Sequence, residues 1–308
     1  MRNASRQPIP AAVLGLVLFV TFAWGVNWPL LKIVLGEMAP LHFRTWCMWG
    51  GAAGLFALAA WNRQPVRVPA GQWGRLVLIA AFNITCWSVL VAYGVPLMES
   101  GRASILAFTM PIWSVPLSRW LLNEPVTARR LAGLLLGIAG MGLLVGSELH
   151  AAGRSPLGAM LMLGAAATWA LGVVMIRRWQ FPLPATSFTA WQLLIGGVPI
   201  VIGSLFERGS YSPLGLSAGA VFALYYNVFV CFIFSYWAWT KVATVVPVAI
   251  SSLTTLIVPV VGVFSGMIVL GERPHWTDFA ALALVVTALA VVLLPQRQQA
   301  ASLKFPAA

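Results

Sequence analysis

The chain has 308 residues, of which 60% are hydrophobic and 8% are charged, and its mean hydropathy is +0.88. This composition excludes a water-soluble globular domain and indicates an integral membrane protein. The formal net charge of +12 does not indicate nucleic-acid binding, because the 19 Lys and Arg residues stand singly or in pairs at the ends of apolar runs.

The first apolar run extends from about residue 11 to residue 35 and follows Arg2 and Arg6. It is too long for the core of a cleaved signal peptide, and it continues through Trp24 and Pro29 without a small-residue cleavage site. We therefore predict that it is the first membrane helix and that it is not removed.

Further apolar runs follow at short intervals, so we predict ten membrane helices joined by short connections. The predicted spans are approximately 11–35, 40–61, 73–96, 100–122, 128–147, 155–178, 186–206, 214–240, 244–270 and 276–295. Ten spans of about 20 residues use most of the chain. No stretch remains that is long enough for a soluble catalytic domain.

The basic residues are unequally divided between the two sides that these spans define. With the N-terminus inside, most of the 19 Lys and Arg residues fall on the cytoplasmic side. The six on the outer side are Lys32, Arg44, Arg102, Arg154, Arg208 and Arg273. An excess of positive charge marks the cytoplasmic side, so we predict that both termini are cytoplasmic.

One pattern occurs twice in the chain, at a constant offset of 148 residues. It is a serine, then a proline, then a glutamate at the span end: Ser104, Pro111 and Glu124 in span four, and Ser252, Pro259 and Glu272 in span nine. Five spans per half is an odd number, so the second half enters the membrane in the opposite orientation. We predict two inverted five-helix repeats around a central cavity, residues 1–150 and residues 151–308 with a short C-terminal tail.

Pro111 and Pro259 lie inside predicted membrane helices. A proline leaves the carbonyl of residue i−4 without its donor, which frees the carbonyls of Ala107 and Thr255. In hydrocarbon such a carbonyl must find protein, water or a ligand, so these helices belong beside a cavity. We predict that both prolines act as hinges or gates.

These features resemble the EamA group of the drug/metabolite transporter superfamily: ten short spans, Trp24 and Trp169 midway in spans one and six, and a mid-helix proline followed by a Glu-Pro-like helix end in spans four and nine. The resemblance covers nearly the whole chain. It implies a ten-helix carrier in a bacterial inner membrane, commonly an exporter of amino acids or related compounds. The aromatic helix centres look similar to those of the aromatic amino acid exporters.

Polar and aromatic side chains near the middle of the spans are the candidates for contact with a substrate, because polar groups at that depth face the bundle interior or water. The predicted substrate-binding residues are Trp24, Asn27, Asn83, Trp87, Ser104, Phe108, Thr109, Trp113, Trp169, Tyr225, Tyr226, Ser252 and Thr255. Two alternatives stay open. Hydroxyls in membrane helices often bond to their own helix carbonyls, and central tryptophans also serve core packing.

An aromatic wall with a few amides and hydroxyls suits a substrate with an apolar body and one polar end. Tryptophan faces also attract an ammonium group, by about 0.5 to 2 kcal/mol. An amino acid fits this description, and so does a cationic or hydrophobic drug. The seven acids and three histidines lie at or near predicted span ends. We therefore predict export by alternating access, either without proton coupling or with a coupling site that these residues do not reveal.

Other function classes find less support in the sequence. A membrane-embedded enzyme is the runner-up, but the chain has no zinc-protease helix motif, and its acids lie at or near predicted span ends rather than as a pair within the membrane. We predict no cofactor and no metal, and as partners a small-molecule substrate and the lipid bilayer. The expected state is a monomer or weak homodimer, because Gly133 and Gly137 allow close helix approach within the bundle or between protomers.

Glu124 and Glu272 each precede a proline at a chain reversal, either at once or after one arginine. A carboxylate there can accept hydrogen bonds from the start of the following helix, so a structural role is favoured over a role in gating.

The span assignment makes a topology prediction. Cysteine accessibility or reporter fusions after residues 64, 126 and 297 should all report the cytoplasmic side, because each position follows an even number of predicted crossings. An external signal at any of the three would contradict the ten-span arrangement.

Overall fold

The computed structural model describes residues 11–150, 156–209, 211–245 and 248–293. Within these ranges side chains are described except at residues 11, 148–150 and 242–255. All regular secondary structure in the described ranges is helical. Long apolar sequences favour this outcome, because a helix satisfies every internal backbone hydrogen bond within its own segment.

We number the helices by their continuity along the chain. Their bounds are α1 Ala11–Leu35, α2 Pro40–Trp61, α3 Trp73–Leu97, α4 Ser100–Leu122, α5 Ala128–His150, α6 Leu157–Trp179, α7 Ala185–Ser204, α8 Ala218–Tyr225 continuing to Tyr236–Val245, α9 Val248–Leu270 and α10 Trp276–Leu293. Each predicted span overlaps one of these helical stretches, with boundaries that differ by a few residues.

Eight helices in the described part of the chain are long and apolar enough to cross a membrane. They include every helix except α2 and α9, and α9 contributes the shorter apolar segment Leu256–Leu270. Helix α2 is less apolar because its first turns contain His42, Arg44 and Thr45. The chain thus folds as a helical, multi-pass membrane protein.

The helices of residues 11–150 pack mainly against those of residues 157–293. Helix α2 packs on α7, α5 on α10, α1 on α9 and α4 on α6. Helices α3 and α6 form a further pair, as do α8 and α1. If α1 to α5 are exchanged with α6 to α10 in order, the same set of pairs results. For example, the α1–α9 pair becomes the α6–α4 pair. The pairing therefore has an approximate twofold symmetry.

Glycines at related positions permit two of the closest approaches. A Cβ atom at Gly50 would lie 2.8 Å from Val228 of α8, and one at Gly196 would lie 2.8 Å from Ile84 of α3. Both distances are too short for any larger residue, so the α2–α8 and α7–α3 contacts depend on glycine. Gly133 of α5 meets Val292 of α10 in the same way, which places this glycine in packing within the bundle.

Helices α3 and α8 each contain a π-helical segment. In α3 it is Ala81–Cys86 and ends directly before Trp87, and in α8 it is Tyr226–Ser235 and ends directly before Tyr236. A π-helical turn holds more residues than an α-helical turn, so it rotates the side chains that follow it about the helix axis. The same device thus orients Trp87 and Tyr236.

Helix α4 is interrupted at its centre, whereas α9 is not. The break at Phe108–Thr109 precedes Pro111, and the Thr109 hydroxyl donates to the Leu106 carbonyl at 2.6 Å. Helix α9 continues without interruption through Pro259. Ile257 occupies the position of Thr109 in the second copy, and it has no hydroxyl to stabilise such a break. The prolines are therefore repeated, but the break is not.

Glu272, which follows α9, joins three helix ends. Its carboxylate accepts hydrogen bonds from the backbone N–H groups of Ser100 and Gly101 at 2.7 and 3.2 Å, and from the Ser100 hydroxyl at 2.9 Å. Lys32, near the end of α1, forms an ion pair with it at 3.2 Å. We call Lys32, Ser100, Gly101 and Glu272 the Glu272 cluster. The helix whose start Glu272 caps is α4, not the α10 that follows it.

The environment of Glu272 acts on its pKa in two directions. Burial raises the pKa, but the hydrogen bonds from Ser100 and Gly101 and the charge of Lys32 outweigh burial and hold the pKa of Glu272 below its ordinary value.

The Glu272 cluster also shows the relative direction of two helices. Because α9 ends where α4 begins, these two helices run in opposite directions.

Glu124, which follows α4, makes the corresponding contacts at the other end of α4. It forms ion pairs with Arg130 of α5, at 3.0 Å, and with Arg177 near the end of α6. We call these three residues the Glu124 cluster. The Arg177 side chain is 53% exposed, whereas the Glu272 side chain is 8% exposed. The Glu124 cluster is therefore the more solvated of the two.

This difference predicts unequal effects of two matched substitutions. Glu272→Gln should lower the free energy of unfolding by about 1 to 3 kcal/mol, because buried donors lose a charged acceptor. Glu124→Gln should cost less than about 1 kcal/mol, because exposed ion pairs contribute little. Thermal unfolding of the purified protein in detergent measures both, and the folded fraction of each variant should still transport.

The pH dependence provides a control on the same variants. A carboxyl whose pKa is lowered by folding stabilises the protein above its unfolded-state pKa and loses this effect as pH falls through its folded-state pKa. The penalty of Glu272→Gln should therefore be full at pH 7 and shrink in acid, below the ordinary glutamate pKa of 4.5. Equal penalties for the two variants at pH 7 would contradict the prediction.

Candidate functional site

A cavity of about 540 Å³ lies between the two sets of helices. Its walls come from α1 to α4 on one side and from α6, α8 and α10 on the other. The aromatic residues of the lining are Trp24, Trp28, Trp87, Phe108, Trp169, Phe232, Tyr236 and Trp239. The cavity is therefore bounded mainly by large apolar rings.

Two aromatic groups form related parts of this lining. Trp24 of α1 lies with its ring centroid 6.1 Å from that of Tyr236 and 5.7 Å from that of Trp239, both of α8. Trp169 of α6 lies 5.0 Å from Trp87 of α3. Each group thus joins the first helix of one half to the third helix of the other. The π-helical segments set the orientation of the α3 and α8 members.

The structure brings six of the residues predicted from sequence to this one cavity. They are Trp24, Asn27, Trp87, Phe108, Pro111 and Trp169. The Phe108 ring lies at the break in α4, with its centroid 6.4 Å from that of Trp28. The interruption of α4 therefore places an aromatic side chain and a proline against the cavity.

Three other predicted residues lie outside the cavity and bond to backbone carbonyls. Asn83 donates its amide to the Trp169 carbonyl at 3.3 Å. The Ser104 hydroxyl donates to the Gly101 carbonyl at 2.7 Å, and Thr109 bonds within α4 as described above. The two hydroxyls follow the alternative of bonding to their own helix. Asn83 acts on the cavity only through the backbone of Trp169.

The remaining predicted aromatic residues also lie outside the lining. The Tyr226 hydroxyl donates to the Ala23 carbonyl at 3.0 Å. Tyr225 is 41% exposed and stacks on Phe229, with centroids 6.0 Å apart, on the outside of the bundle. Trp113 packs against the hydrophobic core. We therefore do not include these three residues in the candidate site.

The second copy of the repeat is described less fully. Ser252 and Thr255 lie on α9, and their side chains fall outside the described residues. Pro259 is not part of the cavity lining, and its carbonyl accepts a second, longer contact of 3.4 Å from the Ser104 hydroxyl.

Sequence reasoning missed Arg44 as a site residue, because it placed this arginine on the outer side of the membrane. In the structure Arg44 lies within the first turns of α2, is 3% exposed and lines the cavity. Pro40 could have indicated this position. Proline is favoured at the first position of a helix, so a helix that begins at Pro40 contains Arg44 in its second turn. Arg177 of the Glu124 cluster is a second charged lining residue that was missed. The aromatic lining residues that were missed are Trp28, Phe232, Tyr236 and Trp239.

The described lining contains two arginines but no carboxylate and no imidazole. In addition, the described residues contain no group of three or more His, Cys, Asp or Glu side chains that could hold a metal ion. The arrangement can therefore bind an amphipathic molecule by ring contacts and by positive charge.

Comparisons with known proteins agree with this architecture. The 29% identical YvbV, an uncharacterized transporter of Bacillus subtilis (strain 168), aligns over 93% of each chain. A probable amino-acid metabolite efflux pump of Escherichia coli (strain K12) is 27% identical over 89% of this chain and 92% of its own. One solved crystal structure shares the fold, with a TM-score of 0.65 at 18% identity over 96% of this chain and 99% of that one.

The sequence profile of the EamA-like transporter family matches the chain twice, over residues 11–146 and 156–294. Together the two matches cover almost every described residue, and each covers one of the two sets of helices. The resemblance noted from the sequence is thereby confirmed. The chain belongs to the EamA-like transporter family.

Proposed function

We propose that this transporter exports small amphipathic metabolites, chiefly amino acids with aromatic or hydrophobic side chains, by alternating access. The observation that carries the proposal is the aromatic cavity between the two helix sets, bounded by Trp24 on one side and Trp169 on the other. Its volume falls within the range of about 300 to 1,000 Å³ that small-molecule sites occupy. The name of the Escherichia coli relative, an amino-acid metabolite efflux pump, supports the same substrate class.

In this proposal all ten helices cross the membrane as two inverted repeats, residues 1–150 and 151–308. The opposite directions of α4 and α9 support the inversion. Helix α1 ends with α9 at the Glu272 cluster, and α6 ends with α4 at the Glu124 cluster, so α1 and α6 also run in opposite directions. The charge distribution supports a cytoplasmic position for both termini and for the Glu124 cluster, at the inner membrane.

The cavity opens toward the cytoplasm in this arrangement. Its lining reaches Arg177 of the Glu124 cluster but includes no residue of the Glu272 cluster. Export then requires the Glu272 cluster to separate while the helices close at the Glu124 end. Pro111 and Pro259 are the proposed hinges, since each removes one backbone hydrogen bond from a helix that must bend.

The chemistry of the lining favours passage without proton exchange. A proton-coupled carrier needs a titratable group in the substrate path, and the described lining has neither a carboxylate nor an imidazole. A zwitterionic amino acid has no net charge. The membrane potential, worth about 2.3 kcal/mol per charge per 100 mV, therefore neither drives nor opposes its exit.

A cationic or hydrophobic drug is the second candidate substrate, because aromatic rings also bind cations. Two observations favour amino acids over such drugs: the arginines in the lining repel a cation, and no described lining carboxylate attracts one.

Uptake of labelled compounds into proteoliposomes tests the function. Phenylalanine, tryptophan and leucine should be transported by the purified full-length chain, and at the same rate with and without a pH gradient. Cationic dyes should not be transported. Dye transport without amino acid transport would overturn the proposal in favour of drug efflux.

The site can be tested with tryptophan substitutions. Trp24→Ala and Trp169→Ala should each weaken binding of phenylalanine by about 1 to 2 kcal/mol, roughly five- to thirtyfold, because ring contacts with the substrate are lost. Trp61→Ala and Trp120→Ala are matched controls, since these side chains are 86% and 74% exposed and do not line the cavity. Calorimetry on the detergent-purified protein measures the affinities. Equal affinities in all four variants would place the site elsewhere.

A further inference from the structure

Arg44 is a buried cation for which the described residues supply no counter-charge. Its residue is 3% exposed, and its Nε atom is buried without a hydrogen-bond partner. The guanidinium carbon lies 5.2 Å from the centroid of the Phe43 ring. Among the described side chains, the ionisable groups that interact with it are Cys47, Cys231 and Tyr236, whose ordinary forms at neutral pH are uncharged.

The acids with described side chains are all engaged elsewhere. Glu37, Glu99, Glu124, Glu207, Glu272 and Asp278 each pair with, or accept hydrogen bonds from, groups other than Arg44. Arg102 shows the usual arrangement of a buried arginine, since its Nε lies 2.8 Å from the Asp278 carboxylate. Arg44 therefore differs from Arg102 in lacking a carboxylate.

A guanidinium withdrawn from water and left unpaired is costly, so such a group is retained where an anion joins it during function. Because Arg44 lines the cavity, the transported molecule is positioned to supply that anion. Arginine holds a carboxylate through two parallel hydrogen bonds, which makes a carboxylate the best chemical match for this position.

An unpaired acceptor lines the same cavity. The Oδ1 atom of Asn27 is buried and has no hydrogen-bond partner among the described residues. Asn27 lies one helical turn from Trp24, whose ring contacts Tyr236, and Tyr236 is one of the groups that interact with Arg44. The side chains that carry the unpaired donor and the unpaired acceptor thus both line this cavity and are linked through Trp24 and Tyr236.

We propose that Arg44 binds the carboxylate of the substrate, while the Asn27 amide oxygen and the Trp24 ring receive its ammonium group. The cavity then selects free amino acids, with both charged groups intact, over amines and over molecules lacking either group. This inference rests on the proposed export of amino acids and names the residue that distinguishes them from cationic drugs.

Three ligands that share one aromatic body test the assignment: phenylalanine, phenethylamine, which lacks the carboxylate, and 3-phenylpropionate, which lacks the ammonium. The full-length wild-type protein in detergent should bind phenylalanine about ten- to a hundredfold more tightly than phenethylamine. Arg44→Met should reduce this ratio to about one and abolish binding of 3-phenylpropionate. Arg119→Met, which removes an exposed arginine outside the cavity, should leave the ratio unchanged.

Thermal unfolding separates a binding role from a structural one. Without ligand, Arg44→Met should unfold at or above the wild-type temperature, because it removes an unpaired buried charge. Phenylalanine should raise the unfolding temperature of the wild type but not that of this variant. Arg44→Lys, which keeps the charge but not the paired donors, should retain a weakened preference for phenylalanine over phenethylamine.

The binding experiment on Arg44 and the transport assay can fail independently of each other. The assignment is overturned if the wild type binds phenethylamine as tightly as phenylalanine, or if a folded Arg44→Met protein keeps the wild-type preference. The wild-type comparison decides the matter even if the variant does not fold. If 3-phenylpropionate binds through Arg44 but no amino acid is transported, the anion site stands and the proposed export of amino acids fails.

Discussion

The structure depends on one constraint: inside a membrane bundle every polar group must bond to protein or face a water-accessible space. Ser104 and Thr109 meet it within their own helix, and Glu272 meets it by joining the ends of three helices. Arg44 and the Asn27 amide oxygen do not meet it with any described protein group, and both line the cavity. These two unpaired groups therefore belong to side chains that line the cavity, where a substrate can satisfy them, whereas other unpaired buried atoms such as Gln192 Oε1 and Ser235 Oγ lie outside it.

The duplication gives the cavity its form without making its two sides identical. Trp24 and Trp169 occupy related positions, and the third helix of the opposite half supplies their partners. Arg44, however, has no basic counterpart 146 residues later, where Ala190 stands, although the glycines of the same helices match at this offset. A symmetric scaffold with an asymmetric charge can hold an amphipathic molecule in one orientation.

The sequence predicted two kinds of feature: those that depend on hydropathy averaged over the length of a helix, and those that depend on a residue pattern that occurs in both halves of the chain. Apolar runs located the helices, and the repeated tryptophans located two cavity walls. The depth of Arg44 was missed because an arginine near a span end is usually solvated, and only tertiary packing withdraws it from water. The hydrogen-bond partners of the Ser104 and Thr109 hydroxyls could not be predicted, because a hydroxyl in a membrane helix can bond to a carbonyl of its own helix or face a cavity. The π-helical segments before Trp87 and Tyr236 have no simple sequence signature, so the orientation of these rings could not be derived.

Under the proposed topology, the unequal solvation of the two glutamate clusters makes the cytoplasmic end of the bundle the easier one to open. Opening the Glu272 end would strip a buried carboxylate of two backbone donors, a hydroxyl and Lys32. Opening the Glu124 end separates arginines that water already reaches, so the loss is largely made up by hydration. Both clusters are formed in the structure, and in the proposed alternating-access cycle the Glu124 end is the one that opens at the lower cost when the cavity is empty. In the proposed mechanism, a substrate that neutralises Arg44 would remove the cost of enclosing that charge. Loading would then shift the balance toward closure around the substrate, so the loaded carrier would move more readily than the empty one.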